Sequence, residues 1–421
     1  MGGLFHPKCG ALFKGHDVSR QVQEAWVNKL NPSHVISFVL FLVLPAILPI
    51  IRRAGPPTLV AIGLFAAIML WREGRLGQSF KSHLRKPATI LFATFMAWAI
   101  ISLGWSTDPS RGGVYIATAL ILVASFLMIS EFPLAKSAPV FLVAGLSLGS
   151  IFMAFDLSSG SHALKWIHTT DPGAWRYNMV AVSYSVFSMA LLSHYDALRL
   201  LRMVAVLMLV AIATFLGESE TAKLVLALFP ILFLVIIVTP RSIIKPAVTS
   251  VLAFIIIYSA AGMPGLIILK HLVPPEFWLQ GSGDARLAIW SGAADFANHG
   301  LPFGWGVATT ASPYGTAYFL AASQEVQWAI SHWHPHDNFL QVAAELGLPG
   351  LATGLNMLAI IIIKGFPASR IQFAAYVTFV MVIIGIASIS HGFWQSWWWA
   401  DVLIGWYIVA GAAAIHEKQS L

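Results

Sequence analysis

The sequence predicts an all-α integral membrane protein. Hydrophobic residues make up 58% of the 421 residues and charged residues only 10%, with a mean hydropathy of +0.77. Apolar runs of about 17 residues or more recur along the chain, which is the length that a helix needs to cross a bilayer. Because backbone groups in lipid must be hydrogen-bonded internally, such runs form helices. This composition excludes a soluble domain.

Twelve such runs define the expected order of elements. No apolar run precedes them in the first 34 residues, so we expect a cytoplasmic or interfacial segment there rather than a signal peptide. The last three runs follow a long segment that is rich in Trp, Gly, His and charge. The predicted spans are 35–51, 57–71, 88–104, 114–130, 138–155, 177–193, 199–216, 221–238, 246–263, 338–363, 371–390 and 399–415.

The distribution of basic residues predicts the orientation. When residues 1–34 lie in the cytoplasm, 17 of the 25 Lys and Arg residues also fall on the cytoplasmic side, as the positive-inside rule requires. Both termini are then cytoplasmic. The expected division is 1–34, 35–263 with nine spans, 264–337 as a long outer loop with amphipathic helices, and 338–421 with three spans. Long loops of this kind are usually functional.

The composition also limits the partners. Cys9 is the only cysteine, which excludes an internal disulfide. The formal net charge of +7 is explained by basic cytoplasmic loops beside anionic lipid. We therefore expect membrane lipids, and no nucleic acid, as partners of this surface.

The ionisable residues of the outer side come from four separate segments. Arg176 precedes the sixth span, Glu218–Lys223 open the eighth, Asp284 and Arg286 lie in the long loop, and His336–Glu345 open the tenth. Ionisable groups near a bilayer are costly, so they indicate function. Their convergence on one face predicts a site between helices.

Each candidate cation has an ordinary explanation beside a functional one. Arg286 and Trp290 belong to a pattern that predicts an amphipathic helix along the membrane surface, so Arg286 is either a snorkelling arginine or an anion clamp. Lys223 lies three residues after Glu220 and either pairs with it or binds phosphate. Arg176 is either an ordinary basic residue before a span or a further phosphate ligand.

His336 is the candidate general base, because the unperturbed pKa of histidine lies close to neutral. Glu345 follows about two and a half helical turns later, so we expect it to support the fold or the loop. The alternation of His332, His334 and His336 lacks the spacing of a helical metal motif, and no metal or other cofactor is expected. Gly347 is expected to permit close helix packing.

The last outer loop, 391–399, contains four tryptophans. Such a loop is typical of the aromatic belt at a membrane interface. Aromatic faces also stack on sugars, so a contact with a glycan is the alternative.

The stretch His336–Leu340, followed by Glu345, Gly347 and Gly350, resembles the late histidine motif of the O-antigen ligase and polymerase superfamily. That motif reads His, Asn, two variable positions and Leu, and later Glu-x-Gly-x-x-Gly. Asp337 stands where Asn is usual, and Asn338 follows it.

Two upstream segments resemble the same superfamily. Arg286–Trp290 and Pro302–Gly306 are similar to its Arg-x-x-Ile-Trp and Pro-x-Gly-x-Gly segments, and Ser219–Lys223 is similar to its Ser-rich segment. Many members carry an Arg close to that Ser. This chain has Glu220 instead, with Lys223 as the nearest cation.

The resemblance implies a metal-independent, inverting glycosyltransferase with a GT-C-like membrane fold in the bacterial inner membrane. Its active site would face the periplasm, and the donor would be a glycan on undecaprenyl diphosphate. Arg286, with Lys223 or Arg176, would neutralise the diphosphate, and His336 would deprotonate the acceptor hydroxyl. The supporting positions would be Ser219, Glu220, Trp290, Asp337, Asn338 and Glu345.

Several functions remain open at this stage. The acceptor would be lipid A–core for an O-antigen ligase, which we favour, or a second lipid-linked glycan for an O-antigen or exopolysaccharide polymerase. A polytopic transporter predicts ionisable residues near the bilayer midplane and broken helices in matching halves. A structural assembly subunit is the remaining alternative.

Overall fold

A computed structural model describes residues 31–160, 175, 177–197, 200–261, 282–332, 334–364 and 369–419, and this part of the chain is helical without any strand. We number its helices in chain order. They are α1 Pro32–Ile47, α2 Gly55–Arg72, α3 Leu76–Leu84, α4 Pro87–Ser102, α5 Pro109–Ile129, α6 Ala138–Ser158, α7 Tyr177–Leu191, α8 Leu200–Leu216, α9 Glu220–Val238, α10 Arg241–Ala260, α11 Ser282–Gly300, α12 Ala317–Ala321, α13 Gln324–Ile330, α14 Asn338–Lys364, α15 Arg370–Ile389 and α16 Ser396–Gln419.

Each of the twelve predicted spans coincides with one of these helices. Within the described residues, eight helices are long and apolar enough to cross a membrane, and α1 and α8 are shorter apolar helices. An all-α integral membrane protein is thus supported, while the count of twelve spans and the orientation stay predictions. Two helices begin five residues before the predicted spans, α5 at Pro109 and α10 at Arg241, and α10 includes Pro246.

The burial pattern is that of a helix bundle with an apolar outer surface. Along α7 and α15 nearly every side chain is buried, so these two helices form the centre of the bundle. Large apolar side chains on the surrounding helices remain exposed, among them Leu64, Ile151 and Phe254. A surface of this kind suits contact with lipid rather than water.

α14 is broken near its middle. Gly347 has a φ of 61°, outside the helical region. Pro302–Gly306, the Pro-x-Gly-x-Gly segment, lies against this break. A side chain on Gly304, whose φ is 77°, would collide with the carbonyl of Glu345. Gly347 permits a close backbone approach, as expected, but of the 302–306 loop rather than of another helix. Its backbone conformation also ends one helical segment and starts another.

The carbonyls that the break frees find new donors. Unpaired backbone groups at membrane depth are costly, so a broken helix is tolerated only where other protein groups replace the lost hydrogen bonds. Three such bonds come from outside α14. Trp305 N–H donates to the Ala344 carbonyl (2.8 Å), Gly306 N–H to the Glu345 carbonyl (2.8 Å), and the Trp98 indole N–H to the Leu346 carbonyl (2.8 Å).

We expect Gly304→Ala to lower the free energy of unfolding by roughly 1–3 kcal/mol, because a Cβ at this positive φ meets the Glu345 carbonyl. Gly354→Ala on α14 is the matched control, since its Cβ would lie 3.8 Å from the nearest atom, on Phe95. Thermal unfolding of both variants in detergent micelles measures the difference. Equal stability of the two variants would contradict the role of the break.

Candidate functional site

α11 carries Arg286 and packs along the first turns of α14. Leu287 and Trp290 are buried together with Leu340 and Ala344. The amphipathic pattern thus predicted the helix correctly, but its apolar face contacts α14 instead of lipid. Trp290 is a packing residue, and its indole N–H is buried without a partner in the described part of the chain.

The other end of α11 is held by the loop that fills the break in α14. The Trp305 indole N–H donates to the carbonyl of Phe296 (2.7 Å), and the two rings stack with centroids 5.2 Å apart. Trp305 thereby connects α11 to α14, and the pair of helices fixes the position of Arg286.

The Arg286 guanidinium is half-buried, and few ionisable side chains lie near it. Burial lowers its pKa, an effect opposed by the nearby carboxylate of Glu220. Its charge also lowers the pKa of His336 and of His391, so both imidazole rings lie within electrostatic range of Arg286. No ion pair or hydrogen bond to the guanidinium exists among the described residues. An arginine side chain remains protonated even when burial lowers its pKa in this way. Its N–H groups can therefore donate hydrogen bonds to an anion.

His336 is held as a neutral base. Its backbone has a φ of 55°, and its Nδ1 lies 2.9 Å from the carbonyl oxygen of Ser390. Because a carbonyl can only accept, Nδ1 carries the proton and Nε2 carries the lone pair. Burial lowers the pKa of His336, and the Ser390 carbonyl opposes this effect in part. Neighbouring Arg286 lowers it further.

His334 forms a hydrogen bond with His336 and packs against its ring. Its Nδ1 accepts the His336 backbone N–H (3.2 Å), and the two rings meet edge-on with centroids 4.4 Å apart. Nε2 of His334 lies 2.9 Å from the side-chain amide of Gln395. Since Nδ1 of His334 accepts, Nε2–H must donate, and the amide oxygen is the matching partner. Burial lowers the pKa of His334 to about 3.

The supporting residues Ser390, His391 and Gln395 were missed by sequence reasoning, which placed Ser390 in the eleventh span and interpreted the loop 391–399 as an aromatic belt or a glycan contact. Burial holds the pKa of His391 well below its usual value. Gly392 leaves the space that the His334 ring fills, since its Cβ would lie 2.8 Å from that ring. The only signal in the sequence is the presence of polar residues among the tryptophans.

Asp337 and Asn338 form the start of α14. Asp337 Oδ1 accepts the backbone N–H groups of Phe339 (2.9 Å) and Leu340 (3.1 Å), which is a helix cap. The other carboxylate oxygen is buried, and burial raises the pKa of Asp337 to about 7, an effect that the two backbone N–H groups and the nearby Ser259 hydroxyl oppose in part. Asn338 is buried as well, and within the described residues both of its side-chain polar atoms lack a partner.

The segment that opens α9 is brought near Arg286 through Glu220. Ser219 caps the helix by accepting the Ala222 backbone N–H (3.4 Å). Lys223 Nζ lies 3.0 Å from Glu220 Oε1, so the pairing that the sequence offered as one alternative is the observed one. Arg176 lies outside the described residues, so its predicted role is not tested.

Glu345 lies within α14 and does not contact His336. Four donors surround its buried carboxylate: the Ala308 backbone N–H (2.9 Å), the Thr310 hydroxyl, the Gln341 amide (3.0 Å) and the Trp394 indole (2.6 Å). These donors come from the long loop, from α14 itself and from the last outer loop. Glu345 therefore joins the elements that carry the site, as expected of a supporting residue.

Among the described residues, no group of three or more His, Cys, Asp or Glu side chains is arranged to hold a metal ion. The site combines a cation, Arg286, with a neutral imidazole, His336. A metal-independent reaction stays a prediction.

Comparison with known proteins finds a similar family over the part of the chain that contains most of these residues. Residues 204–355 match the O-antigen ligase family. The resemblance seen in the sequence is thereby confirmed. The matched segment contains Ser219, Glu220 and Lys223 together with Arg286 and His336, whereas Arg176 lies before it.

Curated relatives point to the same family. A Rickettsia felis protein named "Putative polysaccharide ligase" is 29% identical over 168 residues, which cover 37% of this chain and 39% of that protein. A Rickettsia conorii protein with the same description is 27% identical over 167 residues, 37% of this chain and 38% of that protein. One from Rickettsia prowazekii is 39% identical over 67 residues, 15% of this chain and 16% of that protein. The alignments thus span about two fifths of these relatives at most.

We expect Glu345→Gln to lower the free energy of unfolding by about 1–3 kcal/mol, because an amide accepts at one oxygen only and leaves buried donors without a partner. Glu325→Gln is the matched control, since Glu325 is exposed on α13. Thermal unfolding in detergent measures both. Unchanged stability of Glu345→Gln would mean that the four hydrogen bonds do not join the loops to α14.

Proposed function

We propose that this protein transfers a glycan from undecaprenyl diphosphate to an acceptor hydroxyl, with lipid A–core as the acceptor, in lipopolysaccharide synthesis. The observation that carries the proposal is the pairing of Arg286, a guanidinium without a partner in the described residues, with His336, a neutral imidazole whose Nε2 lone pair is free. The family match over residues 204–355 and the names of the relatives support it. We place the site on the periplasmic side of the bacterial inner membrane.

In this proposal His336 acts on the attacking hydroxyl and Arg286 acts on the leaving group of the same displacement reaction. The acceptor oxygen attacks the anomeric carbon while the bond from that carbon to the diphosphate oxygen breaks, and the configuration inverts. His336 Nε2 takes the proton of the acceptor hydroxyl. Arg286 stabilises the charge that develops on the diphosphate, which leaves as undecaprenyl diphosphate.

The second cation of the proposed site is less well supported. Lys223 pairs with Glu220, so it contributes to diphosphate binding only when that pair opens. Glu220 also acts on Arg286. A diphosphate would replace this carboxylate as the partner of Lys223 and would accept hydrogen bonds from Arg286, and Arg176 remains a further proposed ligand.

Deletion of the gene tests the assignment and separates the alternatives. Long glycan that accumulates on undecaprenyl diphosphate, beside bare lipid A–core, is the result expected of a ligase. Single repeats on both carriers would instead indicate a polymerase of lipid-linked repeats. An unchanged lipopolysaccharide ladder would contradict both O-antigen functions and favour an exopolysaccharide polymerase or a transporter.

We expect His336→Ala to reduce glycan transfer by about 10²–10⁴-fold, because the general base is lost. His299→Ala is the matched control, since His299 is an exposed histidine at the end of α11. Transfer is measured with the purified protein in vesicles and normalised to protein level. Full activity of His336→Ala at normal protein level would refute the base role.

We also expect transfer to remain constant as the pH falls to about 6.5 and to decline only below it. The folded-state pKa of His336 is lowered, so Nε2 stays unprotonated until the solution is more acidic than its usual value. Asp337 titrates near pH 7, so the profile is measured in Asp337→Asn, which keeps an acceptor for the helix cap. Buried His334 stays neutral over this range. An inflection above pH 6.5 in that variant would contradict the assignment.

A further inference from the structure

A large cavity lies on the side of α14 that faces away from α11. It has a volume of about 680 Å³ and runs between α4, α5, α14, α15 and α16. Along α5 its lining extends from Tyr115 to Ser130, about four helical turns. The lining is almost entirely apolar, so the cavity suits a hydrocarbon chain. Representative lining residues are Phe95, Leu122, Phe126, Leu358, Ile384 and Leu403.

The two ends of the cavity differ in charge. Tyr115, Trp394 and Trp399 line the end near the last outer loop. The opposite end is lined by His83 and Lys86, and Lys86 is the only Lys or Arg among the described lining residues. Among the described lining residues, only this end therefore offers a cation to an anionic headgroup. The charge pattern of the sequence predicts this end to be cytoplasmic.

Lys86 lies at the mouth of the cavity, the end lined by His83 and Lys86, and belongs to a short chain of hydrogen-bonded side chains. Lys86 Nζ donates to His83 Nδ1 (3.0 Å). On its other side, His83 Nε2 lies 2.6 Å from Glu131 Oε1. The ammonium group keeps two further protons that it can donate to an anion. The mouth is thus a built cationic site rather than a freely moving side chain.

α3 adds a surface that suits lipid at the same end. Phe80 and Leu84 are one turn apart on this helix and are exposed. Lys81 and Arg85 are exposed beside them. Basic amphipathic helices of this kind lie at the headgroup level of anionic membranes.

We propose that this cavity binds an anionic phospholipid of the cytoplasmic leaflet, with its phosphate on Lys86 and an acyl chain between the helices. The site is separate from the proposed transfer site, because neither Arg286 nor His336 lines the cavity. It is also a poor site for the diphosphate of the proposed donor, because no cation lines the end near Trp394. The proposal does not rest on the proposed function.

Lipid titration of the purified full-length protein in detergent tests this proposal. Native mass spectrometry gives the Kd for phosphatidylglycerol and for phosphatidylcholine. We expect saturable binding with preference for phosphatidylglycerol, and Lys86→Gln should raise its Kd about fivefold while leaving phosphatidylcholine unchanged. Arg370→Gln removes an exposed basic residue that does not line the cavity and should have no effect.

A second pair of variants tests the acyl-chain site. Ala119→Phe fills the cavity and should abolish saturable binding of both lipids, whereas Leu120→Phe, on the exposed face of α5, should not. Equal affinity for the two lipids, or an unchanged Kd in Lys86→Gln, would overturn the proposal. Displacement of phosphatidylglycerol by undecaprenyl phosphate that does not depend on Lys86 would assign the cavity to a polyprenyl chain instead.

Discussion

A membrane helix that breaks must find new partners for the carbonyls that it frees, and in α14 the 302–306 loop supplies two of them. The rest of the candidate site depends on this exchange. Trp305 fills the break and also holds α11, so the position of Arg286 is set by the same loop. The carboxylate of Glu345, two residues before Gly347, accepts hydrogen bonds from Ala308 and Thr310, which follow that loop, and from Trp394 in the loop after α15.

The site combines a fixed positive charge with a neutral base, and burial accounts for both properties. A histidine next to a guanidinium in a poorly hydrated environment resists protonation, which keeps its lone pair free at neutral pH. The same environment strengthens the attraction between the guanidinium and an anion. The hydrogen bond from Nδ1 to the Ser390 carbonyl fixes which nitrogen is the base. In the proposed reaction the charge of Arg286 helps to keep His336 unprotonated, and neither group requires a metal ion.

The sequence predicted the helices well, because apolar runs are local signals. Ionisable interruptions of those runs indicated the candidate residues, whose roles stay predictions. His336, Arg286 and the Glu220–Lys223 pair were found in this way. The break at Gly347 was not predicted, although Gly347, Pro349 and Gly350 are local signals for one, because glycines in a membrane helix were interpreted as packing positions. The roles of Ser390 and Gln395 were missed because their contacts with His336 and His334 join positions 54 and 61 residues apart. Hydrogen-bond partners at such separations follow from the tertiary fold alone.

The most direct test of the central claim is a structure of the protein with undecaprenyl diphosphate bound. The account predicts diphosphate oxygens within hydrogen-bond distance of the Arg286 guanidinium. It also predicts that His336 Nε2 faces the position from which an acceptor would attack. A diphosphate bound away from Arg286, or His336 Nε2 turned into the protein, would contradict it.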